Sequence, residues 1–167
     1  YTETQDITVT VNNVNDAATF GGDTAGSGDE DGGAIAGTLT ASDSADGLSN
    51  ANFTVSANGA NGVATIDATS GDWSYTPNTN FNGTDTFTVT ITDDDNNVET
   101  QDITVTVNNV NDAATFGGNI AGSGDEDGGA IAGTLTASDS ADGLSNANFT
   151  VSANGANGVA TIDATSG

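Results

Sequence analysis

The sequence predicts an all-β fold, a seven-stranded Greek-key β-sandwich repeated in tandem, and three observations carry that prediction. Short apolar runs alternate with a period of two, the spacing of a strand with one buried face. Asp-Gly and Asn-Gly pairs punctuate those runs as turns. The pattern then recurs, because the segment from Glu3 to Asp16 reappears as Glu99 to Asp112.

The elements follow in order. An irregular first strand is expected near Ala17 to Gly22. Shorter runs cover Ala34 to Ala41, Asn52 to Ala57, Gly62 to Asp67 and Asp72 to Thr76. Asp85 to Asp93 alternates strictly, with Phe87, Val89 and Ile91 on one face and Thr86, Thr88, Thr90 and Thr92 on the other. Ile103, Val105 and Val107 repeat the alternation in the last strand. Asp46-Gly47, Asn58-Gly59, Asn61-Gly62 and Asn82-Gly83 mark the turns. No segment has helical spacing with caps. Seven such strands read as a sandwich of immunoglobulin type. Its predicted core is Phe20, Ile35, Leu39, Phe53, Val55, Val63, Ile66, Trp73, Tyr75, Phe81, Phe87, Val89, Ile91, Ile103, Val105 and Val107.

The period is 96 residues, the offset from Glu3 to Glu99. From Glu3 to Gly71 and Glu99 to Gly167 the copies differ only at Asp23/Asn119 and Thr24/Ile120. A period this long is too large for a solenoid unit and suits a domain strung like a bead. The expected division is residues 1–12 as the last strand of a preceding repeat, 13–108 as a complete repeat, and 109–167 as the first strands of the next.

Charge narrows the function. The chain has 24 Asp and Glu, no Lys, Arg or His, and a net charge of −24. No side-chain ion pair can form, and folding crowds like charges together. Positive charge must come from outside, as divalent metal or salt. Nucleic acid is excluded as a partner, since binding needs cations on phosphates. No apolar run is long enough to insert into a membrane. With no Cys there is no disulfide, and metal is the other common support of small folds. Abundant Asp without Cys or His points to a hard, oxygen-ligated cation, Ca2+. The same composition excludes nucleophilic triads and His-ligated metals, and the expectation is that the chain is not an enzyme.

The acidic and Asn-rich clusters fall in loops or at strand ends. The candidate metal ligands are Glu30 and Asp31, Asp43 and Asp46, Asp93 and Asp95, and the junction residues Asn109, Asn111 and Asp112. Asn13, Asn15 and Asp16 are the first copy of that junction, and Asp139 and Asp142 the second copy of Asp43 and Asp46. Calcium takes six to eight such oxygens. Asp72 and Asp85 stay undecided between surface charge and site. Asn52-Phe-Thr54, Asn82-Gly-Thr84 and Asn148-Phe-Thr150 match the glycosylation acceptor pattern, so a glycan is possible.

Four segments carry a family likeness: Gly37 to Asp43, Trp73 to Pro77, Phe81 to Asp93 and Ile103 to Asp112. Together they resemble the VCBS and bacterial cadherin-like repeats, the extender regions of giant RTX-type adhesins. The resemblance implies an Ig-like, cadherin-like fold, secretion to the cell surface, and Ca2+ at domain junctions. On it, Asn109 to Asp112 is similar to the acidic linker between domains, Asp43 and Asp46 to the paired ligands after a linker, and Asp93 to the Asp following the penultimate strand. Glu30 would stand for the first-strand Glu.

The function expected is an extracellular spacer whose partners are neighbouring repeats of the same or identical chains. A Ca2+-dependent carbohydrate-binding module and a filament subunit built by strand exchange between chains are the alternatives.

Overall fold

The computed structural model describes residues 1–167. The chain divides into two units, Tyr1–Asn109 and Val110–Gly167.

The first unit holds eight strands: β1 (Thr19–Gly22), β2 (Ala25–Asp29), β3 (Ile35–Ser42), β4 (Thr54–Ala57), β5 (Gly62–Ile66), β6 (Asp72–Pro77), β7 (Gly83–Thr92) and β8 (Val98–Asn108). They form two four-stranded sheets, ordered β1-β3-β6-β5 and β2-β8-β7-β4. Every pairing is antiparallel except β2 with β8. The irregular first strand resolves into two pieces, which brings the count to eight. Gly22, at φ +75°, turns the chain after β1. The backbone N–H of Asp23 still bonds to Thr38 in the first sheet, whereas the Thr24 carbonyl already accepts from Thr104 in the second.

The core lies between the sheets, where the inward faces of β3 and β6 meet those of β7 and β8. Trp73 and Tyr75 from one sheet flank Phe87 from the other, at centroid distances of 5.6 and 6.1 Å. The indole fits because two facing positions are glycine. A Cβ at Gly37 or Gly26 would lie 2.5 or 2.7 Å from its ring. Its Nε1–H donates to the Asp23 carbonyl at 2.9 Å.

The predicted core holds with one correction. Val63 points outward, 57% exposed, and Ala64 is buried in its place. In β5 the residues Gly62, Ala64 and Ile66 share the inner face, so Val63 cannot join Ile66 there. Phe20, Val55, Ile66 and Phe81 are partly buried at the margin.

The second unit contains the antiparallel pair β9 (Thr115–Gly118) and β10 (Leu135–Ser138). They occupy the places of β1 and part of β3, with equivalent register. The two positions that differ between copies are accommodated simply. Asp23 and Asn119 each present one side-chain oxygen to the N–H of Thr38 and Thr134, both at 3.0 Å. Thr24 is used through its backbone, and Ile120 stands exposed.

Candidate functional site

The candidate ligands of the first unit divide between the two ends of the sandwich. β3 and β7 both run to one end, and the residues immediately after them are Asp43 and Asp93. Asp46 follows in the turn. One carboxylate oxygen from each of Asp43, Asp46 and Asp93 lies within 4.8 Å of the others.

Local hydrogen bonds hold these groups in place. Asp43 Oδ1 accepts from the backbone N–H groups of Ala45 and Asp46, both at 3.0 Å, which folds the turn carrying Asp46. That uses only one oxygen. Asp43 Oδ2 is buried and has no hydrogen-bond donor, a costly state for a carboxylate. Asp93 is 6% exposed. It accepts from the Asn97 backbone at 2.7 Å and side chain at 2.8 Å across a turn in which Asn96 sits at φ +69°. Burial pushes the Asp93 carboxyl up, but these donors outweigh it and hold the group below the usual range.

The segment leading into the sandwich is tied to the same end. Asn13 Nδ2 donates to Asp46 Oδ1 at 2.6 Å and to Asp95 Oδ2 at 2.8 Å. The Asp16 backbone N–H donates to Asp46 Oδ2. Glu99, at the start of β8, accepts from the Ala18 backbone and, at 3.4 Å, from Asn15 Nδ2. Glu99 escaped the sequence reading because it looks like an ordinary exposed position on an alternating strand. Asp94 is occupied otherwise: it holds Ser49 through the backbone N–H and hydroxyl.

The other candidates lie elsewhere. Glu30 and Asp31 follow β2 at the opposite end of the sandwich, Glu30 buried and Asp31 exposed. The Glu30 N–H donates to the Asn108 carbonyl, and Asn109 Oδ1 accepts from Asn82 at the same end. In the second unit, Asp139 Oδ1 accepts from Ala141 and Asp142, reproducing the Asp43 turn. The Asp112 N–H donates to Asp142 Oδ2 at 2.6 Å, as Asp16 does to Asp46. Asn111 is exposed, its side chain bonded to the Asp112 carbonyl.

Asp85 is resolved as structural. It is buried, and its carboxylate accepts from the Tyr75 hydroxyl at 2.5 Å and from the N–H groups of Ala60, Asn61 and Thr86. Gly59 leaves the room, since a Cβ there would meet the carboxylate. Asp72 lies at the surface, bonded to Thr38 and Ser70. Burial raises the Asp85 carboxyl, while the Tyr75 hydroxyl and the three backbone donors together bring it below the usual range. A carboxyl lowered by folding contributes stability that is complete above its unfolded value, about 3.9, and is lost as pH falls through the folded value. The metal-free chain is therefore expected to lose melting temperature steeply below about pH 4, and Asp85→Asn to flatten that fall. Calorimetric scans in acidic buffers check this, and an acid limb of equal slope in the variant would count against it.

No helix is long and apolar enough to cross a membrane. A search of curated proteins found no match. The sequence model of the bacterial cadherin-like domain matches residues 15–109, a stretch that takes in the linker anchored at Asp16, both sheets, and all three clustered carboxylates. The chain belongs to the bacterial cadherin-like domain family.

Proposed function

We propose that this chain is a non-catalytic spacer of a secreted or cell-surface adhesin, in which Ca2+ bound by Asp43, Asp46 and Asp93 locks each repeat to the linker that precedes it. The observation that carries this reading is the convergence of three carboxylates, one with a buried oxygen lacking any donor, in a chain without a single cationic side chain. A hard divalent cation is the group whose chemistry matches an all-oxygen donor set. Asp95 and Asn13 are near enough to contribute. Turning the Asn13 amide over would present its carbonyl oxygen where its Nδ2 now meets Asp46 and Asp95.

On this reading the repeat runs from 13 to 108. Residues 1–12 are the last strand of the repeat before it, and 109–167 open the next. Glu30, Asp31 and Asn109 lie at the end of the first unit away from the three carboxylates, and Asp139 and Asp142 hold the places of Asp43 and Asp46 in the second. A linker fixed by an ion at each junction would make a tandem array stiff, which suits a stalk that holds a binding domain away from the bacterial surface.

Calorimetric titration of the metal-stripped chain with CaCl2 tests the assignment. Asp43→Asn keeps the shape and the oxygen that forms the turn but removes the charge. It is expected to weaken Ca2+ binding at least about tenfold, a difference of about 1.4 kcal/mol. No binding heat, or equal affinity in the variant, would remove the ion from this site.

A further inference from the structure

Glu99 is a carboxylate on the inward face of a strand. β8 turns Ile103, Val105 and Val107 into the core, and Glu99 lies on that same face nearer the start of the strand, half-buried. A carboxylate in that position needs donors. The incoming linker supplies them: one oxygen accepts from the Ala18 backbone N–H at 2.5 Å, the other from Asn15 Nδ2 at 3.4 Å. Ala18 itself packs against the margin of the core. Just upstream, the Asp16 N–H is taken by Asp46. N–H groups two residues apart point to the same side of an extended chain, so the linker meets two carboxylates as a strand would meet the carbonyls of its neighbour. Asp46 belongs to the carboxylate cluster, whereas Glu99 lies outside it. The β7–β8 hairpin ties cluster and Glu99 together. Asp93 follows β7, Glu99 pairs with Ile91, and the turn is closed by the Asp93 N–H donating to the Asn97 carbonyl at 3.0 Å.

We propose that Glu99 is a positioning residue for the ion site. It seats Asn15–Ala18 before any ion arrives, so that Ca2+ meets a linker already held at Asp46. The seating stands on the metal-free contacts, and its effect on Ca2+ rests on the ion site proposed above. An ion that must order the linker as well as bind loses apparent affinity in proportion to the fraction of chains whose linker is seated.

In chelator, the Ala18 amide of the 167-residue chain is expected to exchange with deuterium at least about ten times faster in Glu99→Ala than in the unaltered chain, while the amides of Ile103 to Val107 keep their rates. Glu99→Gln retains an oxygen for the Ala18 N–H and is expected to keep the slow exchange. Calorimetric titration with CaCl2 then separates seating from charge, because both variants remove one negative charge. Affinity should fall about tenfold in Glu99→Ala and less than about threefold in Glu99→Gln. Equal Ala18 exchange in Glu99→Ala and the unaltered chain, faster exchange along all of β8, unchanged affinity in Glu99→Ala, or an equal loss in the two variants would each overturn the proposal. No binding heat in the unaltered chain, with Ala18 still protected through Glu99, would instead overturn the ion site and the part of Glu99 in it, and uphold the seating alone.

Discussion

Stripping Ca2+ from the loaded chain is expected to lower the melting temperature of the Tyr1–Asn109 unit by about 10–20 °C. An ion held at about 100 times its dissociation constant stabilises the folded state by about 2.7 kcal/mol, and each kcal/mol moves the midpoint of a domain this size by about 4–8 °C. The effect is large because the metal-free state has nothing else to offset its charge: three carboxylates converge at one end of the sandwich, and no Lys, Arg or His exists to meet them. Trp73 is the sole tryptophan and is buried in this unit, so its fluorescence follows this transition separately from any unfolding of Val110–Gly167. Coincident melting curves in CaCl2 and in chelator would end the calcium account while leaving the fold untouched.

The second large effect is expected at Asp85. Asp85→Ala removes the acceptor shared by the Tyr75 hydroxyl and three backbone N–H groups, and leaves the Tyr75 hydroxyl without its partner in a closed core. Leaving a buried donor unsatisfied costs about 1–3 kcal/mol, and several donors lose their acceptor at once. A total loss of about 3–5 kcal/mol is expected, a large part of the 5–15 kcal/mol typical of a folded domain. Asp102→Ala is the comparison: that carboxylate is exposed and accepts from Thr88 Oγ1 at 2.7 Å, and its loss should cost less than about 0.5 kcal/mol. Denaturant unfolding followed by Trp73 fluorescence reads both. Equal midpoints for the two variants would show that Asp85 is no more than surface charge.

The two substitutions also separate roles that the sequence leaves mixed. Asp43→Asn should change calcium affinity with little effect on the metal-free fold, because the Asp43 turn also forms at Asp139 in the second unit, which has no β7 counterpart. Asp85→Ala should do the reverse, since Asp85 lies outside the carboxylate cluster.

Period-two alternation, turn pairs and the 96-residue repeat were enough to read a β-sandwich, most of its core and the loops that carry the acidic residues. Those features are local, and a strand's two faces are legible wherever one of them must be buried. The absence of any cationic side chain raises the expectation of an oxygen-bound cation, and the cluster of Asp43, Asp46 and Asp93 is what supports the proposed ion. What alternation could not supply was phase in a weakly marked strand: Val63 and Ala64 differ by one position, and only the pairing of Gly62–Ile66 with Asp72–Pro77 decides which faces inward. Nor could composition tell Asp85, closed within the fold, from Asp43 and Asp93, whose neighbours come from separate loops, or reveal that Glu99 holds the incoming chain.

The clearest division lies between identical sequences. Ile103-Thr-Val-Thr-Val107 is a buried strand between β2 and β7, whereas the same residues at Ile7–Val11 are exposed and unpaired. β1 and the part of β3 that faces it form again as β9 and β10, because those two segments supply each other's hydrogen bonds. Residue order specifies which segments are able to form strands and which face of each is apolar. Whether such a segment becomes a strand depends on the partners folded beside it, because a strand's hydrogen bonds and its dry face both belong to its neighbours.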